Sequence, residues 1–538
     1  MVKRPLRSEV VTLAVSALLL LCYNYPFWTR LIAFVDPVSP KDWGFIGVAG
    51  LLVLAYYNLV LSLVASPYVF KPLAIGLLVL SSFVTYFMNQ YGVMIDARMI
   101  QNVMETNRAE SLDLLTFKMA GYFIVLGVIP SIAVWRLPVA WRPFWRELGV
   151  RVLSAIASFA VILAIAMLFY QEFASLFRNH REIRLLLIPS NALQATWGYV
   201  NDTYLTRPTV VAPLGTDAKK GPQWAQRKRR SLTVIVVGET ARAENFGLNG
   251  YARNTTPQLA REPGVINLPN VWSCGTETAV SLPCMFSNLT REGYSDSKAK
   301  GQEGLLDVIQ RAGFAVQWRD NQSGCKGVCD RVPTISTTDL AIPEFCDTEC
   351  HDEIMLQGLR EASNKAGKDM VVVLHMMGSH GPAYFQRYPA RFETFKPVCK
   401  TSQLDRCDRQ GIVNAYDNTI LYTDYVLSRT IELLKKNADL DTAMIYLSDH
   451  GESLGEHGMY LHGAPYFVAP DQQKHIAAAL WLSANFQNDF KVDGRCLKAR
   501  SDRRYTHDYL FHSVLGLLDI QTSVYRPALD LFAPCRTG

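Results

Sequence analysis

Three short polar clusters stand directly behind apolar runs in the part of this 538-residue chain that follows residue 230. Gly238-Glu239-Thr240 follows Leu232–Val237, a stretch from His375 to His380 follows Met370–Leu374, and Ser448-Asp449-His450-Gly451-Glu452 follows Ala443–Leu447. Carboxylates and imidazoles gathered in one place suit a divalent cation, and zinc accepts both oxygen and nitrogen donors. Behind any single strand, an Asp, Ser or Thr more often caps a helix. Three such clusters meeting at one edge would instead form a site.

The elements needed to bring them together can be read around them. From Ser231 onward, short apolar runs alternate with amphipathic segments, as in an α/β domain. The pattern predicts buried strands at Leu232–Val237, Ala315–Trp318, Met370–Leu374, Ala443–Leu447 and Ala477–Leu482. Helices are expected near Glu303–Arg311, Asp352–Lys365, Ile412–Lys436 and Thr506–Leu518. In such sheets ligands bind beyond the carboxyl ends of the strands, which is where all three clusters fall.

The first 170 residues are different. Five apolar stretches, approximately Val10–Ala33, Trp43–Ala65, Pro72–Gln90, Met119–Trp135 and Val152–Tyr170, each approach the ~20 residues that cross a bilayer. The first lacks a convincing small-residue cleavage site and is followed by four more, against a signal peptide. With the N-terminus inside, the cytoplasmic pieces hold Lys3, Arg4, Arg7, Lys71, Arg136, Arg142, Arg146 and Arg151, and the opposite loops hold fewer basic residues. This bias favours a cytoplasmic N-terminus, and five spans then place everything after Tyr170 outside the cytoplasm.

Composition agrees. Apolar residues make up 49% of the chain and charged ones 19%, with mean hydropathy +0.07. That argues against disorder and against an ordinary soluble enzyme. The net charge of +6 is unevenly spread, with excesses of +5 in residues 1–170, +6 in 171–230 and −5 in 231–538. A nucleic-acid protein would concentrate basic charge on its folded domain, so nucleic acid is excluded as the partner and a membrane surface is favoured. The expected units are therefore a transmembrane domain over 1–170, a connector over 171–230 and a catalytic domain over 231–538. Within the connector, Arg178, Arg181 and Arg184 would share one face of a helix, either along headgroups or in solvent.

Cysteine usage gives a separate test of compartment. Cys22 lies in the first span and the other ten follow residue 270. Close pairs occur at Cys274/Cys284, Cys325/Cys329, Cys346/Cys350 and Cys399/Cys407, leaving Cys496 with Cys535. Irregular spacing and an extracytoplasmic location favour five disulfides over a zinc–thiolate site.

The segments Val237–Tyr251 (VGETARAENFGLNGY), Ser273–Cys284 (SCGTETAVSLPC) and Ser448–Glu456 (SDHGESLGE) resemble the bacterial lipid A phosphoethanolamine transferases, which include the mobile colistin-resistance enzymes. The resemblance covers essentially the whole chain. It implies five spans followed by a periplasmic domain of the alkaline phosphatase/sulfatase type, in the inner membrane. It also implies Zn2+ held by Glu239, Thr278, Asp449 and His450, with Thr278 as nucleophile. A threonine hydroxyl is a weak nucleophile that a metal activates. Without the resemblance, Thr278 would not stand out from Thr276 or Thr240.

Further positions match the family. Asn102, Thr106 and Glu110, at helical spacing, correspond to residues facing the substrate headgroup. Ser323 and Lys326 correspond to a phosphate-contacting pair. His380 and His462 correspond to histidines beside the metal that bind phosphate, protonate the leaving alcohol or hold a second zinc. His375, ending an apolar run, reads as a buried structural histidine. The implied reaction moves phosphoethanolamine from phosphatidylethanolamine to Thr278 and then to a phosphate of lipid A, lowering attraction for cationic peptides such as polymyxin. Rival readings are transfer to a core sugar or periplasmic glucan, a sulfatase-like hydrolase, and an inactive membrane sensor.

Overall fold

A computed structural model describes residues 5–105, 114–201, 210–337, 340, 342–346, 349–437 and 439–536. They form two compact units, divided near residue 203.

Among the described residues of the first unit, four helices are long and apolar enough to cross a membrane: Pro40–Val64, Phe70–Tyr91, Phe117–Arg136 and Phe144–Leu168. A fifth span is obtained if the bent pair Ser8–Tyr23 and Tyr25–Val35 is counted as one; the two arms meet at 67°. The bend has a local cause. Pro26 in the first turn of the second arm cannot donate to the preceding helix. The buried Asn24 side chain donates to the carbonyls of Leu19 and Ile188 and accepts the Ile188 N–H, each at 2.9 Å. An amide side chain thus replaces the missing helical bonds. Tyr57 adds a hydroxyl bond to the Ile188 carbonyl (2.6 Å).

The stretch expected as one connector helix is three pieces: Tyr170–Asn179, a 3-10 turn Arg181–Leu186, and Ser190–Val200. His180 leaves the helical region (φ −130°, ψ 66°), so Arg178 and Arg184 do not belong to one continuous helix.

The second unit is a seven-stranded sheet between helical layers. Its strands are β1 (Ser231–Gly238), β2 (Val265–Asn267), β3 (Ala315–Asp320), β4 (Thr334–Ser336), β5 (Met370–His375), β6 (Asp441–Ser448) and β7 (Ala478–Leu482). The spatial order is β2-β7-β6-β1-β5-β3-β4. The five from β6 to β4 run parallel, while β7 and β2 are antiparallel additions at one edge. Strand alternation sorts side chains onto two cores. Ile235, Val237, Val371, Val373, Ile445 and Leu447 face one side, packed with helices α1 (Thr278–Met285), α2 (Leu305–Arg311) and α5 (Asp508–Leu517). Val234, Val236, Val372, Leu374, Met444 and Tyr446 face the other, packed with α3 (Leu359–Ala366) and the long α4 (Arg409–Lys436). The helix expected over Asp352–Lys365 is a 3-10 turn, Asp352–Leu356, followed by α3, because Gly358 adopts φ +66° between them.

Five disulfides join Cys274–Cys284, Cys325–Cys329, Cys346–Cys350, Cys399–Cys407 and Cys496–Cys535. They are the pairs suggested by sequence order.

Candidate metal and nucleophile centre

Parallel register assembles the site. Ser448 pairs with Gly238 and His375 with Val237, so Asp449 and the Met376–His380 loop emerge on either side of Glu239. The Ser379 N–H donates to the Glu239 carbonyl (3.0 Å), locking that loop against β1. Thr278 arrives from outside the sheet, on a loop held by the Cys274–Cys284 bond and by a hydrogen bond from Thr276 Oγ1 to the Ala464 carbonyl (2.7 Å). Thr278 is the first residue of α1; Glu277, not Thr278, occupies the cap position.

Around one imidazole nitrogen, three oxygens converge. His450 Nε2 lies 3.3 Å from Glu239 Oε1, 3.4 Å from Asp449 Oδ2 and 3.3 Å from Thr278 Oγ1. The Thr278 hydroxyl also donates to Glu239 Oε2 at 2.9 Å. Glu239, Asp449 and His450 are fully buried, and Thr278 is partly exposed. Glu239 Oε1 and Asp449 Oδ2 accept no hydrogen bond, which is costly for buried carboxylate oxygens. His450 Nδ1 faces the Gly451 carbonyl at 2.9 Å; donation there keeps the proton off Nε2 in the neutral ring and leaves its lone pair for a metal.

The electrostatics point the same way. Burial opposes ionisation of Glu239, but the His450 imidazole 3.3 Å away, positive when protonated, holds it well below the ordinary carboxylate range. Burial and the neighbouring Glu239 push Asp449 up to about 6. Burial also opposes charging His450, yet Asp449 and Glu239 outweigh it and raise the imidazole to about 10. A pocket that draws a proton this strongly has a deficit of positive charge. The donor set fits a small divalent cation.

His462 comes closer to this centre than a peripheral role requires. Ligand atoms of Glu239, His450 and His462 all lie within 4.8 Å of one another. His462 Nδ1 is held by Glu452 Oε2 (3.0 Å), and the ring centroids of His462 and His450 are 4.4 Å apart. His380 stacks edge-on to His462 (5.4 Å), its buried Nδ1 has no hydrogen bond, and burial pushes it down to about 3. Lys326 Nζ donates to the carbonyl and hydroxyl of Ser323, each at 3.3 Å. His375 is fully buried against Asp320 (3.3 Å). Asn102 lies on helix Ala97–Glu105 of the first unit; Thr106 and Glu110 fall outside the described residues.

Two contributors carried no motif, and a third, Glu452, stood within the Ser448–Glu456 motif without an assigned role. Gln322 Nε2 donates to Glu239 Oε2 (2.9 Å). Buried Asp352 accepts the N–H groups of Met377 (2.8 Å) and Gly378 (2.9 Å), fixing the His380 loop. Glu452 orients His462. The only signal in the sequence for Gln322 was its place just beyond β3.

Comparison with known proteins agrees with this architecture. Residues 231–520 match the Sulfatase family model, and residues 53–204 match the model described as phosphoethanolamine transferase EptA/EptB. The chain is 41% identical over 541 residues to phosphoethanolamine transferase EptA of Escherichia coli (strain K12), covering all of this chain and 98% of that one. It is 38% identical over 531 residues to the phosphatidylethanolamine transferase Mcr-1 of E. coli, covering 96% of each. The structure of the integral membrane lipooligosaccharide phosphoethanolamine transferase A from Neisseria meningitidis superposes with TM-score 0.96 at 39% identity, covering 99% of this chain and all of that one. With full-length similarity of sequence and structure and both halves matched, the chain belongs to the EptA family of phosphoethanolamine transferases, membrane enzymes with a sulfatase-type catalytic domain.

Proposed function

We propose that the chain transfers phosphoethanolamine from phosphatidylethanolamine to a phosphate of lipid A through a covalent adduct on Thr278. The supporting observation is the position of Thr278 Oγ1, 2.9 Å from Glu239 Oε2 and 3.3 Å from His450 Nε2. The donor is the lipid named in Mcr-1, and the acceptor class is the lipooligosaccharide named for the Neisseria protein.

Glu239, Asp449 and His450, with Thr278, would hold one Zn2+, whose charge, when bound, offsets negative charge at the reacting oxygens. Thr278 attacks phosphorus, its proton leaving along the hydrogen bond to Glu239, and the bond from phosphorus to the diacylglycerol oxygen breaks. His462, held through Nδ1 by Glu452, would give a proton from Nε2 to that departing oxygen. Lys326, with Ser323, provides a mobile positive charge for the phosphoryl oxygens. His380 contributes a neutral ring nitrogen as a phosphate or ethanolamine contact. A lipid A phosphate oxygen then attacks the adduct and regenerates the Thr278 hydroxyl. Asn102, Thr106 and Glu110 would meet the ethanolamine headgroup, with Glu110 pairing the ammonium.

The membrane spans serve a reaction between two lipids by confining enzyme and substrates to one surface. With the N-terminus in the cytoplasm, the catalytic domain lies in the periplasm, where disulfides persist. The product carries a new ammonium group, and its surface holds cationic peptides such as polymyxin less strongly.

Mass spectrometry of lipid A from a Gram-negative host expressing the wild type or Thr278→Ala tests this reading. A phosphoethanolamine unit is expected with the wild type alone. Unmodified lipid A together with a modified core sugar would relocate the acceptor, and equal modification by Thr278→Ala would rule out the adduct.

A further inference from the structure

His507 is an enclosed imidazole, 1% exposed, outside every motif of the centre. It follows the short strand Tyr505–Thr506, which runs parallel to Val271–Trp272, and its N–H donates to the Trp272 carbonyl (3.1 Å). That pairing sets the ring between two loops. Nδ1 accepts the backbone N–H of Cys274 (3.1 Å), and Nε2 donates to the carbonyl of Ser448 (3.0 Å). A backbone N–H can only donate and a carbonyl only accept, so the ring is the neutral tautomer with its proton on Nε2. Burial, holding His507 down at about 4, keeps it neutral.

Both loops carry the chemistry. Cys274 shortly precedes Thr278, and its other atoms are also engaged. Its sulfur is bonded to Cys284, and its carbonyl accepts from Arg291 Nε (3.2 Å), whose guanidinium lies 3.4 Å over the Tyr466 ring. Ser448 directly precedes Asp449. Its hydroxyl accepts the Ala241 N–H and donates to the His450 carbonyl, both at 2.8 Å, so the same residue also ties the strand end carrying Glu239. One imidazole therefore spans the nucleophile loop and the ligand-bearing edge of the sheet.

We propose that His507 is a positioning residue for transfer, fixing the distance between the loop of Thr278 and the strand end of Asp449 and His450. It touches neither substrate nor reacting atoms. The inference rests on the reading of Thr278 as nucleophile and of Asp449 and His450 as ligands. Small displacements between a nucleophile and its activating groups cost rate far more than binding.

The test uses the purified full chain with phosphatidylethanolamine and lipid A, comparing wild type, Thr278→Ala, His507→Phe and His507→Gln. Phe keeps the ring and neither hydrogen bond; Gln keeps one donor and one acceptor. His507→Phe should lower kcat about 10–100-fold, the range for supporting partners of a metal site, with KM changed less than about twofold. Its disulfides should match the wild type and its melting temperature should fall by no more than several degrees, for the two buried backbone groups left unpaired, and His507→Gln should recover most of the rate. In wild type labelled with 15N-histidine, His507 should give the signature of a ring protonated on Nε2. Wild-type kcat in His507→Phe, a loss in His507→Gln as deep as in His507→Phe, or protonation on Nδ1 would each overturn the proposal. If His507→Phe fails to fold, His507→Gln and the tautomer decide. Absence of an adduct on Thr278 in the wild type would instead overturn the reading beneath it.

Discussion

Glu452 Oε2 lies 3.0 Å from Nδ1 of His462, and Glu452 Oε1 accepts the Tyr384 hydroxyl at 3.0 Å. Glu452 is fully buried, so both of its oxygens are committed to fixing one imidazole toward the centre. Replacement by Gln keeps the volume but removes one of the two carboxylate oxygens and puts an amide that can donate in its place, so the hold on His462 Nδ1 is lost or reversed. Glu452→Gln should lower kcat by about 10–100-fold, as supporting partners of catalytic or ligating histidines do. Steady-state transfer assays at saturating donor check this, with the Tyr384→Phe variant expected to lose less.

Gly378 carries the His380 loop past Glu239 with φ +53°. A Cβ there would stand 2.7 Å from the Glu239 carbonyl oxygen and 2.9 Å from its nitrogen. Gly378→Ala should cost about 1–3 kcal/mol through backbone strain and contact with fixed main chain. On the proposed ligand set it should also weaken zinc retention, because the residue displaced is Glu239. Chemical denaturation and metal content after dialysis measure the two effects separately.

Loop length separates the disulfides. Cys496–Cys535 closes a sequence separation of 39, and Cys325–Cys329 one of 4. By loop-closure entropy the paired Ser variants should lose about 4 and about 2 kcal/mol respectively. Denaturation midpoints of the two double variants should fall in that order.

Folded-state stability should also fall with acid. His512 is buried, and its Nδ1 accepts the Arg526 N–H at 3.2 Å. Burial and the Arg526 charge lower it from 6.5 to about 4. A histidine depressed in the folded state contributes stability present above its unfolded value and lost as pH falls toward the folded one. The loss should therefore develop between pH 6.5 and about 4, and His512→Gln should flatten it. Denaturation midpoints across that window report the difference.

The features readable in the chain were those with period or repetition. Continuous apolar runs in β1, β5 and β6, buried along their whole length, revealed the sheet, and the clusters at their ends fell together because parallel register preserves chain direction. Cysteine order sufficed for the disulfides because four of the five pairs are local. Pro26 offered a local cue to the bend near Asn24, but the Asn24 bonds to Ile188 that complete it were not readable, since they reach far along the chain. Gln322 and Asp352 were missed for the same reason: each acts through side-chain hydrogen bonds across the fold, which leave no periodic trace. Glu452 stood in the cluster behind β6, but its hold on His462 left no mark in the spacing. Gly358 did offer a local cue to the split before α3, because glycine readily adopts positive φ. Thr278 was singled out by resemblance rather than by its own spacing.

The proposed transfer depends on a covalent link between Thr278 and the headgroup of a neighbouring lipid. Incubating the purified chain with phosphatidylethanolamine without acceptor, then mapping the modified peptide by mass spectrometry, tests it most directly. Phosphoethanolamine on Thr278, discharged when lipid A is added and absent from Thr278→Ala, is the expected result. Transfer to lipid A at the normal rate by Thr278→Ala, or a discharging adduct on a different side chain, would contradict it.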